Sequence, residues 1–343
     1  MTIRDVAEYC GVSISTVSRV LNNRPDVSSK VRKKVLDAVE YLHYVPNNSA
    51  RDLVKTTSDS IGVIVRGAGN LFFSSMLHSI EETADRLGYS IISSQIPSFG
   101  DELATGASLA RSRRLNGLIF LGGRFDYNEA MTALLDVPFV CCTFTNSFGD
   151  LDKEKYSSVS IDDRAEAAKA VRYLIDRGHR NIAIILDSAK DHSIGQLRYM
   201  GYCDALSEAG IELDSSLVEE IRDYDMSAAY NGTKRLLARR SDITAIFVIA
   251  DALAIAVIKS LYDSNIRVPD DCSVIAIDGI DSSLYTVPTL TTLIQPRDVL
   301  GKEAVKALVN VIEGKSRTRH IRLETDIRTG ATVLDIRTWS SGI

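Results

Sequence analysis

From Ser60 onward the sequence alternates short apolar runs with amphipathic stretches, and it does so in two rounds. SIGVIV is followed by LHSIEETADRLG, YSIISS by ELATGASLARSRR and NGLIFLGG by NEAMTALL, with PFVCCTF closing the first round. After DLDKEKYSSVSIDD the pattern restarts with AEAAKAVRYLIDRG and NIAIIL, and it runs on to AIFVIA, LAIAVIKSLYDSN and CSVIAID. Brief apolar runs separated by helix-length amphipathic segments predict parallel strands joined by crossover helices. Two rounds predict two doubly wound α/β lobes of similar size. In open sheets of this kind ligands bind beyond the strand carboxyl ends, so the cleft between two facing lobes is the expected binding site.

The first 58 residues follow a different rule. Thr2 is placed to cap a helix with Asp5 in its first turn, and Ile3, Val6 and Ala7 recur at helical spacing until Gly11. Gly11 supplies the left-handed residue of a tight exit, Ser13 can cap a second helix, and Val17, Val20 and Leu21 give that helix an apolar face. Two short helices meeting at a glycine turn make a helix-turn-helix. Its second helix then exposes Ile14, Ser15, Ser18 and Arg19, groups able to touch base edges or phosphates in a major groove, with Arg19 the best guanine partner. Ser28 caps a third helix over 29–42 with Val31, Val35, Val39 and Leu42 inward; Arg32, Lys33 and Lys34 cluster outside, facing phosphates or simply water. After Pro46, NNSARDLV and the polar KTTSDS read as a hinge.

Charge supports this division. The whole chain carries −5, yet residues 1–58 carry +3 and the remainder −8. A basic head on an acidic body suits a protein in which only the head meets a polyanion. The longest apolar stretch, Ala245 to Ile258, is broken by Asp251, so no segment reaches the roughly 18 residues of a membrane span. The amino terminus lacks a secretory pattern, and the expected location is the cytoplasm, with no membrane partner. Five cysteines without a CxxC pair read as reduced packing residues. No phosphate loop, GxSxG, HExxH or paired metal ligands occur, and His43, His78, His179, His192 and His320 are scattered. Neither an enzyme nor a bound metal or cofactor is expected. His179, in RGHRN, reads as a helix C-terminal cap.

TIRDVAEYCGVSISTVSRVLN and VSSKVRKKVLDAVEYLHYVPNNSARDL closely resemble the head and hinge of the lactose and galactose repressor (LacI/GalR) family. RGHRNIAII, LRYMGYCDAL, AIFVIADALAI, VPDDCSVIAIDGID, PTLTTLIQPRDVLGKEAV and IRTGAT extend the resemblance through the body, and through it to the periplasmic sugar-binding proteins. The resemblance implies a small all-α helix-turn-helix head (1–45), a hinge helix and linker (46–59), and a periplasmic-binding-protein-like core (60–343). Chain crossings near Val159, Thr289 and Leu323 would divide that core into an N-terminal lobe of about 60–159 and 290–322 and a C-terminal lobe of about 160–289 and 323–343. The implied DNA contacts are Thr2, Ser13, Ile14, Ser15, Thr16, Ser18, Arg19 and Asn22 in the head and Asn47, Ala50, Arg51 and Leu53 in the hinge. Leu53 would wedge into the minor groove, unstacking a step and bending the duplex, or else serve as a buried linker residue.

In the cleft the resemblance places Phe72, Phe73, Arg198, Asp251 and Asp278. Carboxylates and a guanidinium suit hydroxyls, and a phenyl face suits a sugar ring. Arg198 and Asp251 fit equally a salt bridge closing the lobes, and Asp278 a strand-end cap. Two positions depart from the family: Leu71 stands in its Asn-Pro-Phe-Phe, and Ala250 replaces the Asn before the cleft aspartate. The implied partners are a near-palindromic double-stranded operator, a second copy of the chain, and a sugar or sugar derivative as effector, with a phosphorylated protein corepressor as the alternative.

Overall fold

The computed structural model describes residues 1–21, 24, 26–42, 44, 59–67, 70–221 and 224–337. The chain divides into two compact units, Met1–Ser58 and Asp59–Ile343.

In the first unit α1 (Ile3–Cys10), α2 (Ile14–Leu21) and α3 (Ser29–Tyr41) enclose a small core. Thr2 and Asp5 form a reciprocal capping box: the Thr2 amide donates to Asp5 Oδ2 at 2.6 Å and the Asp5 amide to Thr2 Oγ1 at 3.4 Å. Gly11 takes φ +54°, the left-handed conformation that ends α1 and lets α2 begin three residues later. Val6, Ala7, Cys10, Val17, Val20, Val35 and Ala38 are buried, with Val31, Val39 and Leu42 packed at the rim. Val6, Ala7, Val17, Val20 and Val35 are among the positions that the sequence periodicity picks out; Cys10 and Ala38 join them, while Ile3 and Leu21 stay at the rim.

The second unit begins with β1 (Ser60–Arg66), α4 (Leu71–Arg86), β2 (Ser90–Ile96), α5 (Glu102–Arg113), β3 (Leu118–Leu121), α6 (Glu129–Thr132), β4 (Phe139–Cys142) and β5 (Ser157–Ser160). It continues through α7 (Asp163–Ile175), β6 (Ile182–Leu186), α8 (Ile194–Glu208), β7 (Val218–Glu220), α9 (Met226–Arg239), β8 (Ala245–Val248), α10 (Asp251–Asp263), β9 (Ser273–Asp278) and β10 (Thr291–Ile294). Then come α11 (Arg297–Ile312), β11 (His320–Arg322) and β12 (Asp326–Arg328). Two six-stranded sheets result, ordered β11-β5-β4-β3-β1-β2 and β12-β10-β9-β8-β6-β7. Every pair is parallel except β10 with β12. Strands β3, β4, β8 and β9 are buried along their whole length because helices cover both faces, which is why they read as unbroken apolar runs. The edge strand β2 is half-exposed and correspondingly carries Ser93, Ser94 and Gln95.

One expected boundary moves. Residues 291–294 pair in register with β9, Thr291 opposite Ile275 and Ile294 opposite Asp278, so β10 belongs to the second lobe. The chain crosses at Gln295–Pro296, not near Thr289, after which α11 packs against α4, β4 and β5 of the first lobe. Pro296 has no amide to continue the ladder, and it marks the exit. The other two crossings fall between β5 and α7 and between β11 and β12.

Candidate functional site

Two surfaces carry chemistry. On the head, α2 buries Val17 and Val20 and turns Ile14, Ser15 and Arg19 to solvent. Ser13 starts the helix: its Oγ accepts from the Thr16 amide at 3.1 Å and shares hydrogen bonds of 2.8 Å with the Ser15 and Thr16 hydroxyls. Three hydroxyls and the free amides of a helix amino terminus thus lie together, an arrangement that receives a phosphate oxygen. Arg19 is 62% exposed and lies 3.5 Å from an equally open Asp26, a surface ion pair of little strength that leaves the guanidinium available. Thr2 is committed to its capping box. Ser18 is half-exposed on the same helix. Asn22, Asn47, Ala50, Arg51 and Leu53 lie outside the described residues.

The second surface is the rim of the two sheets at their strand carboxyl ends. Arg198, from the second turn of α8, is buried to 1% exposure. Its Nε and Nη2 donate to Asp163 Oδ1 at 3.1 and 2.9 Å, and Nη1 donates to the Ile249 carbonyl and lies 3.7 Å from Asp278 Oδ1. Burial opposes the charge on Arg198, but the carboxylates of Asp163 and Asp278 outweigh it and raise the guanidinium pKa. For Asp163 the balance is reversed: burial raises its pKa despite Arg198. Asp278 ends β9 with φ +134°, a conformation non-glycine residues rarely hold, and accepts from Gln295 Nε2 at 2.8 Å. Burial pushes its pKa up, while Arg198 pulls it back. Tyr224, beyond β7, lies within the electrostatic reach of Arg198, Asp278, Asp187 and Asp163.

Two expected cleft residues have other roles. Asp251 is fully buried at the start of α10, and both its oxygens are occupied: Oδ2 accepts from the Ile280 amide at 3.0 Å and Ser283 Oγ at 2.8 Å, and Oδ1 from Thr292 Oγ1. It pins the segment after β9, it is turned to internal donors and sealed from solvent, and the Arg198–Asp251 bridge does not form. Phe72 is likewise interior, packed in the first-lobe core with Met76 and Ile80. Phe73 remains half-exposed beside Gly122, at the end of β3, where an added Cβ would sit 3.0 Å from its ring.

The sequence reading passed over Asp163, Asp187, Gln196 and Tyr224. Asp187 stood at the carboxyl end of the NIAIIL run, a position that is itself a binding-site signal in parallel sheets. The lobes also meet directly: His192 stacks on Phe148 at 4.8 Å, and Ile194 and Leu197 of α8 pack against the first-lobe cluster around Phe120 and Phe144. The ring of His179 does not cap the preceding helix, whose C-cap is Asp176. It is buried, with Nδ1 3.1 Å from Thr244 Oγ1 and Nε2 3.1 Å from the Leu334 carbonyl. Among the described residues there is no group of three or more potential metal ligands, and no helix is long and apolar enough to cross a membrane.

Known proteins share both parts. Residues 2–47 match the model for bacterial regulatory proteins of the lacI family, and 171–333 match a periplasmic binding protein-like domain. The transcriptional regulator MalR of Clostridium butyricum is 37% identical over 329 residues, 95% of this chain and 97% of its own. This chain belongs to the lacI family. It is accordingly a DNA-binding transcriptional regulator and not an enzyme. The lac repressor dimer bound to operator and the anti-inducer ONPF superposes with a TM-score of 0.79 at 28% identity, covering 97% of this chain and 99% of that one. The regulator CelR in complex with cellobiose gives 0.71 at 27% identity with the same coverage. In this lacI-family chain the helical head is the lacI-type DNA-binding domain and the two-lobed core contains the periplasmic-binding-like domain.

Proposed function

We propose that the chain is a homodimeric repressor whose two heads occupy adjacent half-sites of a near-palindromic operator, and that a sugar or sugar derivative held between the lobes controls that binding. The observation that carries the DNA half is the division of α2 into a buried Val17–Val20 face and a solvent-facing Ile14, Ser15 and Arg19 face. Two heads related by a dyad match an inverted repeat because the symmetry of protein and site mirror each other. Leu284, Tyr285 and Val287 turn apolar side chains to solvent in one short segment, which favours a surface covered by a second copy.

The effector half rests on Arg198, Asp278 and Phe73, a charged pair and a ring at the strand carboxyl ends. Effector and operator are coupled when they prefer different lobe arrangements, which the DNA-binding hinge then transmits. Selection from a pool of random duplexes tests the DNA half: the protein should enrich an inverted repeat. Enrichment of a lone half-site, or of nothing, would overturn the dimeric reading.

A further inference from the structure

We infer that His192 clasps the two lobes together by closing on Phe148 and Asp126, and that the clasp tightens when the imidazole takes up a proton. The inference rests on the coupled reading above, and it gives control of lobe closure to three side chains that are not among the proposed effector contacts.

Each half of the clasp is built within its own lobe. In the first lobe the segments after β3 and β4 form one jaw. The Phe148 amide donates to the Phe125 carbonyl at 2.7 Å, and Asn146 bridges the Tyr127 amide and carbonyl at 2.6 and 2.9 Å. Gly149 packs so closely here that a Cβ would fall 2.2 Å from the Tyr127 carbonyl oxygen. Arg124 holds the Asp126 carboxylate in place with Nε and Nη2 at 2.9 and 2.8 Å. In the second lobe the turn between β6 and α8 is the other jaw. Ser188 Oγ accepts from the Lys190 and Asp191 amides, both at 3.2 Å, and Ser193 Oγ caps α8 through the Gln196 amide at 3.4 Å. His192 stands between these two sets of hydrogen bonds, presented without help from the first lobe.

The contacts between the jaws are of a different kind. The His192 ring lies on Phe148 with centroids 4.8 Å apart and planes 15° from parallel, and its Nδ1 is 3.5 Å from Asp126 Oδ2. Ile194 and Leu197 add apolar contact with the first-lobe cluster. Among the described residues no backbone hydrogen bond joins the jaws. The His192 side chain is 50% exposed, and contacts half in water are weak. This junction can therefore open and close, whereas the three chain crossings are covalent.

Charge sets its strength. Histidine is the side chain that ordinarily changes charge between about pH 5 and 8. Arg124 first, and His192 further, hold the Asp126 carboxyl below its ordinary pKa against its partial burial, so Asp126 stays anionic throughout that range. The other charged groups on the jaws are Asp150 on the first and Asp187, Lys190 and Asp191 on the second. An imidazolium at position 192 thus faces two carboxylates and a single cation, Arg124, which is already spent on Asp126. It gains an ion pair with Asp126, and its positive ring lies on a phenyl face, where cation–π attraction adds to the stack.

The test uses the full chain. Its one tryptophan is replaced, Trp339→Phe, and a reporter indole is introduced by Phe148→Trp. An imidazolium in contact quenches indole fluorescence, so emission reads closure and charge together. From about pH 8 to about pH 5.5 emission should fall roughly two-fold, and adding His192→Ala should abolish that fall. In the otherwise native chain, His192→Ala and Phe148→Leu should each shift operator affinity about 3- to 10-fold in the same direction, as loss of one aromatic pair allows. The double variant should shift it no further than the larger single change, because both open one clasp. His192→Phe keeps a stacked ring without the charge, so it should match wild type near pH 8 and depart from it near pH 5.5. Emission that does not depend on His192, quenching that does not deepen as pH falls, or additive shifts in the double variant would each overturn the inference. Should the clasp variants leave operator affinity unchanged while saturating glucose, ribose, maltose or cellobiose shifts it, the clasp fails and the coupled reading stands; if neither shifts it, both fail.

Discussion

Replacing Asp251 with Ala separates a structural carboxylate from a ligand-binding one. Three donors converge on it: the Ile280 amide, Ser283 Oγ and Thr292 Oγ1. In the variant the two hydroxyls can turn elsewhere, since Ser283 Oγ already lies 2.6 Å from the Ile280 carbonyl and Thr292 Oγ1 3.4 Å from the Leu293 carbonyl. The Ile280 amide cannot. Leaving it buried and unpaired costs about 1–3 kcal/mol, and loss of the charge-assisted bonds adds about 1–2 kcal/mol. Relief of the carboxylate's burial, which raises its pKa, returns part of this. The net expectation is about 2–4 kcal/mol, or roughly 3–7 °C in the melting temperature of a core this size. Asp251→Asn keeps one acceptor and should lose about half as much. Differential scanning calorimetry of the three proteins, with sugar titrations on each, decides the matter. An unchanged melting temperature with abolished sugar binding would refute the structural role and restore Asp251 to the ligand shell.

Three further outcomes are expected. Arg19→Ala should cost about 1–3 kcal/mol on the selected operator and little on random DNA, read by fluorescence anisotropy, because base contacts specify and phosphate contacts position; equal loss on both would assign Arg19 to phosphate. Leu53→Ala should leave effector affinity and dimerisation intact but weaken operator binding and reduce the DNA bend; an unchanged bend and affinity in a gel-shift phasing assay would make Leu53 a linker residue. His179 is buried with its pKa lowered from 6.5, chiefly by burial, so below that pH the unfolded chain takes up a proton that the folded chain resists, and stability falls as pH drops. The raised pKa values of buried Asp251 and Asp278 act in the opposite direction, so the comparison must be with His179→Gln, whose acid-side fall in melting temperature should be shallower.

The architecture was legible in the sequence wherever periodicity was enforced by burial. Strands covered on both faces have no choice but continuous apolar runs, and the head's Val6, Val17, Val20 and Val35 recur at helical spacing because one face of each helix is interior. The site was less legible, because a single chain does not say which polar residue faces a cleft and which faces a neighbouring backbone amide. Asp251 and Asp187 both sit at strand ends with the same chemistry. Only the fold shows that Asp251 is held by three internal donors while one oxygen of Asp187 has none among the described residues. Phe72 and Phe73 differ in the same way, adjacent rings of which one is core and the other borders the rim. The displaced crossing at Gln295 has a comparable cause: β10 is a short apolar run that suits either sheet, and its register with β9 decides.

The central claim is that cleft and head are coupled, and linkage makes it testable in both directions with one pair of titrations. Operator affinity of the full chain is measured by anisotropy with and without the saturating sugar that binds most tightly, and affinity for that sugar is measured with and without saturating operator. The account predicts that sugar changes operator affinity by a factor of at least about 5, in either direction, and that operator changes sugar affinity by the same factor, because a coupling free energy is reciprocal. A sugar that occupies the cleft yet leaves operator affinity unchanged would contradict it.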